Sequence, residues 1–194
     1  MTFVIATHNQ KKLKELRRIL EPLGIEPVIR DDLPEVEETG TTFAENALLK
    51  AQSACNETGM PAVADDSGLV IDALNGAPGV YSARYGGEGF TDKERYEKVL
   101  REMQAVPAEK RTARFVSAVC CVFPDGKVIT VEGSCEGTIG FAPKGEGGFG
   151  YDPIFMVGTR SYAEMSAAEK DEISHRGRAL VKLAQELENW KKIG

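Results

Sequence analysis

The chain has 194 residues, enough for one domain with a sizeable core. Hydrophobic residues make up 42% and charged residues 28%, and no apolar run approaches the roughly 20 residues of a membrane span. A net charge of −6 argues against a nucleic-acid polymer as the main ligand, and with only two histidines a His-rich zinc site is not expected.

Residues 2–6 read as a buried strand entered directly, without a basic or long apolar leader, which points to a cytoplasmic protein. Thr7-His8-Asn9-Gln10-Lys11-Lys12 follows and opens a helix to about Leu20, with Leu13, Leu16, Ile19 and Leu20 on one stripe and Thr7 or Asn9 as the cap. A strand feeding a helix this way leaves backbone N–H groups at the helix start, where a phosphate could sit beside Lys11 and Lys12. A solvated first turn is the alternative, and the P-loop pattern is absent. A short strand is expected around Pro27–Arg30. Glu35-Val36-Glu37-Glu38 is an acidic run before Gly40, either a solvated face or a source of metal carboxylates.

Thr42-Phe43-Ala44-Glu45 is a capping box that opens a helix to about Thr58, stopped by Gly59. Asn46 and Lys50 lie four apart and share one face of it. Ala62 to Ile71 holds two adjacent carboxylates, Asp65 and Asp66, between apolar runs. The first run reads as a strand stopping at Asp65, with Ser67 and Gly68 turning the chain. Two such carboxylates repel, and a hard cation such as Mg²⁺ would relieve that; a polar turn that caps a strand is the alternative.

Residues 76–85 form a Gly- and Pro-rich loop, and Thr91-Asp92-Lys93-Glu94 is a second capping box. Arg114–Phe123 and Val128–Ile139 are predicted as an antiparallel hairpin across Pro124-Asp125-Gly126-Lys127. Cys120 and Cys121 should face opposite sides of the first strand, and all four cysteines read as small apolar residues. Gly145–Gly150 fits G-x-G-x-x-G formally, but no helix can open there because Pro153 holds Asp152 extended. What remains is a glycine loop ending in Phe149 and Tyr151. Its N–H groups could meet a phosphate and its rings a base, or its aromatics could simply anchor it. Ser166 starts a short helix, and Ser174-His175-Arg176 starts the last one.

Six segments occur in this order: Thr7-His8-Asn9-x-x-Lys12, Thr42-Phe43-x-Glu45-Asn46-Ala47, Ala64-Asp65-Asp66-Ser67-Gly68-Leu69, Pro78-Gly79-Val80-Tyr81-Ser82-Ala83-Arg84, Gly147-Gly148-Phe149-Gly150-Tyr151-Asp152-Pro153 and Ser174-His175-Arg176. Together they resemble the inosine triphosphate pyrophosphatase family, including the bacterial dITP/XTP pyrophosphatases, over nearly the whole chain. The resemblance implies an α/β fold with a long, mixed, twisted central sheet flanked by helices, two lobes around an active-site cleft in a single domain of residues 1–194, and a homodimer. It implies Mg²⁺-dependent hydrolysis of ITP, dITP and XTP to the monophosphate and pyrophosphate; composition and charge add the expectation of no membrane and no nucleic-acid partner. Carried over by position, Thr7, His8, Asn9, Gln10, Lys11 and Lys12 bind the triphosphate, although His8 is given no chemical role. Asp66 is the metal-binding general base, Lys50 reaches a phosphate, and Glu38, or alternatively Glu37, is the second metal ligand. Ser67 touches the nucleotide; Phe149, Gly150, Tyr151 and Asp152 line the base and sugar pocket; Lys170, His175 and Arg176 complete the substrate site. Arg176 offers only donors and His175 can donate as well, so a site they line is expected to favour a purine 6-oxo group over a 6-amino group, with Arg176 reading the base. A nucleotide binder without catalysis is the alternative, and it would not need the carboxylates.

Overall fold

The computed structural model describes residues 1–193. Among the described residues five α-helices, α1 (Gln10–Leu20), α2 (Phe43–Thr58), α3 (Asp92–Glu102), α4 (Ala167–Ile173) and α5 (His175–Ile193), accompany seven strands: β1 (Thr2–Ile5), β2 (Glu26–Val28), β3 (Ala62–Ile71), β4 (Thr112–Val122), β5 (Val128–Ile139), β6 (Phe155–Val157) and β7 (Arg160–Ser161). The strands form one sheet in the order β2-β1-β3-β4-β5-β6-β7. It is mixed: β1 pairs parallel with β2 and β3, whereas β5–β6 and β6–β7 are antiparallel. The α/β class and the mixed sheet are as expected.

The helix starts follow from local chemistry. Asn9 caps α1, its Oδ1 accepting from the backbone N–H groups of Lys11 and Lys12 at 3.0 and 3.1 Å. Thr42, Thr91 and Ser166 cap α2, α3 and α4 in reciprocal boxes with Glu45, Glu94 and Glu169.

The chain divides into two compact units: residues 1–66, 117–133 and 175–194 in one, residues 67–116 and 134–174 in the other. In the first unit two apolar clusters cover opposite sides of the same strands. Phe3, Ile5, Val63, Val119 and Cys121 meet α1 and α5 through Leu13, Leu16, Ala179, Leu180 and Leu183. Val4, Ala62, Ala64, Ala118 and Cys120 meet Ala47, Ala51 and Ala54 of α2. The two-residue alternation of the strands sorts neighbours to opposite sides, so Cys120 and Cys121 separate as predicted. The second unit is built on Leu69, Ile71, Val99, Met103, Phe115, Tyr151, Phe155 and Tyr162, with the Phe115, Phe155 and Tyr162 rings in mutual contact.

One local expectation is corrected. Asp65 does not end a strand, and Ser67 and Gly68 do not turn the chain: β3 runs unbroken from Ala62 to Ile71. The turn chemistry of Asp, Ser and Gly is overridden because both carboxylates find charged and polar partners within the first unit. A buried strand can therefore carry them without the desolvation penalty that unpaired carboxylates incur.

Candidate active site

The alternation that sorts Val63 and Ala64 continues through the two carboxylates, so Asp65 is directed toward α1 and α5 and Asp66 toward α2. Asp66 meets the face of α2 on which Asn46 and Lys50 lie one turn apart. Lys50 Nζ donates to Asp66 Oδ1 at 3.2 Å, to Glu38 Oε1 at 2.7 Å and to the Asp65 carbonyl at 2.9 Å. Asn46 Nδ2 donates to Asp66 Oδ2 at 3.3 Å, and its own Oδ1 accepts from the Gly40 N–H at 2.8 Å, which ties the segment after Glu38 to the same place. Burial pushes the Asp66 carboxyl above its usual range, with Glu38 and Asp65 adding to the rise and Lys50 and Lys12 opposing it. Lys50 is half-buried, and that desolvation by itself would lower its pKa; Asp66, Glu38 and Asp65 outweigh it and hold the pKa raised.

Asp65 is the hub on the other side of the strand. Its side chain is 1% exposed and takes Lys12 Nζ at 3.0 Å and Arg176 Nη2 at 3.1 Å on Oδ1, and Ser117 Oγ at 2.5 Å on Oδ2. Burial alone would raise this carboxyl; Arg176, Lys12, the Ser117 hydroxyl and Lys50 together hold it well below the usual carboxylate range. Arg176 also pairs with Glu15 of α1, and both of these side chains are buried. Gly133 makes the approach of α5 possible, since a Cβ there would collide with the His175 carbonyl and the Ala179 backbone.

The second unit gathers another group. Asp152 Oδ2 accepts from the Phe149 N–H at 3.0 Å and from Lys170 Nζ at 2.7 Å, and that ammonium lies 5.0 Å from the Phe149 ring centroid. Tyr151 is buried and its hydroxyl donates to the Ser82 carbonyl at 2.7 Å. The glycine loop is packed against protein: the Gly147 N–H donates to the Ala163 carbonyl, the Phe149 N–H to Asp152 and the Gly150 N–H to Asp92. Gly148 sits at φ +68° where a Cβ would meet the Asp152 carboxylate. Of the two readings of this loop, anchoring accounts for these N–H groups.

Thus Lys12, Lys50, Glu38 and Asp66 lie in one cluster of the first unit, while Phe149, Gly150, Tyr151, Asp152 and Lys170 lie in one cluster of the second. Ser67, half-buried, also belongs to the second unit. Thr7, His8, Asn9, Gln10 and Lys11 form the exposed to half-buried turn into α1. Two N–H groups of that turn are taken by the Asn9 cap, which leaves side chains rather than the whole helix start to meet an anion. Glu37 is exposed, whereas Glu38 bonds Lys50.

A family model described as the Ham1 family matches residues 3–186. The chain belongs to the Ham1 family. It is 49% identical to a dITP/XTP pyrophosphatase of Geobacillus kaustophilus over 195 residues, covering 98% of this chain and 94% of that protein. It is 51% identical to a dITP/XTP pyrophosphatase of Symbiobacterium thermophilum over 186 residues, covering 95% and 93%. The fold superposes on a HAM1 protein from Coxiella burnetii with a TM-score of 0.88 at 43% identity, covering 97% of this chain and 99% of that one. It superposes on a nucleoside-triphosphatase / dITP/XTP pyrophosphatase from Mycobacterium abscessus with a TM-score of 0.76 at 48% identity, covering 94% and 98%.

Within this Ham1 chain, two residues of the charged cluster escape a reading of the sequence, Glu15 and Ser117, and Asp65 is read there only as one of a carboxylate pair. Glu15 looks like a surface residue of α1, and Ser117 like one polar position in an apolar strand. The one available signal is the Asp65-Asp66 doublet, because alternation gives both sides of a strand a carboxylate and so requires a cation on each side.

Proposed function

We propose that this chain is a nucleoside triphosphate pyrophosphohydrolase that converts ITP, dITP and XTP to the monophosphate and pyrophosphate and so clears deaminated purines from the nucleotide pool. The observation that carries the proposal is the meeting of Glu38 and Asp66 on Lys50 Nζ, in a chain about half identical over its length to proteins named for this activity.

The donor set fits a divalent cation. Two carboxylate oxygens already share one positive charge, the Lys50 ammonium, at 2.7 and 3.2 Å. Among the described residues no group of three or more His, Cys, Asp or Glu side chains could hold a metal ion. The ion that suits such a site completes its shell with water and substrate phosphates, which is the habit of Mg²⁺. Glu38 and Asp66 would hold it, with Glu37 as the alternative to Glu38. When bound, it supplies charge neutralisation on the phosphates and a more acidic water.

The chain's own residues do the rest. Asp66, its carboxyl raised by burial, accepts the proton of the attacking water. The water oxygen bonds to the α-phosphorus as the bond to the leaving pyrophosphate breaks. Lys12 and Lys50 place ammonium groups against the charge that builds on the phosphate oxygens. Thr7 to Lys11 offer side chains to the triphosphate. Phe149 to Asp152 line the base and sugar pocket, Ser67 touches the nucleotide, and Lys170, His175 and Arg176 complete the substrate site. We place the enzyme in the cytoplasm as a homodimer of single-domain subunits; among the described residues no helix is long and apolar enough to cross a membrane.

Release of inorganic pyrophosphate from ITP with Mg²⁺, with and without a chelator, tests the proposal. Pyrophosphate formation that stops on chelation is expected, and nucleotide binding with no pyrophosphate formed would overturn it in favour of a sensor.

A further inference from the structure

We infer that Lys50 is a built-in substitute for the divalent cation: it neutralises Glu38 and Asp66 until the ion arrives, and its displacement by the ion turns its ammonium toward the phosphate. The inference rests on the proposed cation site and adds a competition that the site alone does not require. An ammonium has three N–H donors. Those of Lys50 are committed to Glu38 Oε1, Asp66 Oδ1 and the Asp65 carbonyl. As it stands, Lys50 can reach a phosphate oxygen only by giving up one of these bonds. The two carboxylate oxygens it holds belong to the residues that would ligate the ion, so one positive charge has to leave before another can bind well.

Two consequences follow. The resting pair is stable without metal, because Glu38 and Asp66 are never left as adjacent uncompensated carboxylates in a half-buried to buried setting. Occupation of the carboxylates by the ion frees two N–H donors of Lys50 at once. Ion and triphosphate therefore assist each other through a single side chain, and that coupling is reciprocal. The Asp65 carbonyl bond is not disputed by the ion and acts as the pivot that keeps the ammonium nearby.

The test is Mn²⁺ binding without nucleotide, followed by electron paramagnetic resonance of the free ion, in the parent, Lys50→Met, Lys50→Gln and Glu38→Gln. If Lys50 competes, both Lys50 variants bind Mn²⁺ about tenfold tighter or more, as removal of one like charge a few ångströms away at a part-buried site produces. They should do so while their turnover of ITP falls, and Glu38→Gln should bind more weakly than the parent. Lys50→Gln retains a polar head at the same place, so it serves if Lys50→Met does not fold. Unchanged or weaker Mn²⁺ binding in the Lys50 variants overturns the competition, and so does a lack of Mn²⁺ binding at millimolar concentration in the parent and the Lys50 variants alike. A parent that binds Mn²⁺ through Glu38 but releases no pyrophosphate from ITP overturns the proposed activity and leaves this inference standing. A parent that hydrolyses ITP, with Mn²⁺ affinity equal across the Lys50 variants, does the reverse.

Discussion

Replacing Arg176 by methionine removes a guanidinium that is 2% exposed from between Asp65, 1% exposed, and Glu15, 9% exposed. The methionine keeps much of the volume, so the loss is mainly electrostatic: two buried carboxylates lose their shared cation. Breaking a buried pair in this way costs about 3–5 kcal/mol. The lower end is expected, because Asp65 keeps Lys12 at 3.0 Å and the Ser117 hydroxyl at 2.5 Å. For a chain of this size each kcal/mol moves Tm by roughly 2–4 °C, so a fall of about 6–12 °C should appear in calorimetry. Without Arg176 the folded-state pKa of Asp65 rises, so the variant is most handicapped where Asp65 must be ionised. The gap between parent and variant should therefore narrow as pH falls below about 4, where the parent loses the contribution of its depressed Asp65 carboxyl. A Tm within about 3 °C of the parent, or a gap that widens with acid, would refute this account of the cluster. The same variant examines the reading of the base. If Arg176 also donates to a 6-oxo group, the ratio of kcat/KM for ITP over ATP collapses at a temperature where the variant is folded. A ratio that stays unchanged while Tm falls would leave Arg176 with the ion cluster alone.

Asp66→Asn should keep the fold and lose about a hundredfold or more in ITP turnover, because a general base and a ligand charge go together; near-normal turnover in a pyrophosphate-release assay would remove Asp66 from that role. Lys12→Ala should raise KM for ITP and also lower stability, since its ammonium, 16% exposed, is bonded to the buried Asp65 carboxylate; steady-state kinetics with urea titration check both halves, and a urea midpoint equal to the parent's would contradict the pairing. Asp65 is held below its ordinary range, so its stabilisation is complete above the unfolded value of about 3.9 and is lost as pH falls through the folded value. Urea midpoints should accordingly drop more steeply below about pH 4 in the parent than in Asp65→Asn, and parallel curves would contradict the depressed carboxyl.

The sequence determined by itself whatever depends on neighbours a few residues apart. Thr42 with Glu45, Thr91 with Glu94 and Ser166 with Glu169 announce three helix starts because a cap and its reciprocal partner lie within one turn. The stripe of Leu13, Leu16 and Leu20 marks the buried side of α1, and the alternation at Cys120 and Cys121 divides them between two cores. The order of six short motifs was enough to point to the family. Tertiary structure decided what depends on distant partners. Arg176 meets Asp65 and Glu15 across 111 and 161 positions of chain, and Ser117 meets Asp65 across 52. Those contacts on Asp65, with Lys50 and Asn46 on Asp66, let a strand pass through two buried carboxylates where local turn propensity predicts an end. They also separate two residues that the sequence shows as an undifferentiated pair. Asp65 carries the charge cluster and is held deprotonated, whereas Asp66 meets Lys50 and Glu38 with its carboxyl raised by burial. The glycine loop has the same cause: its spacing suits a phosphate, but Ala163, Asp152 and Asp92 take its N–H groups. Hydrogen-bond donors and buried charges must be matched somewhere, and local pattern does not record where in the fold the match is made.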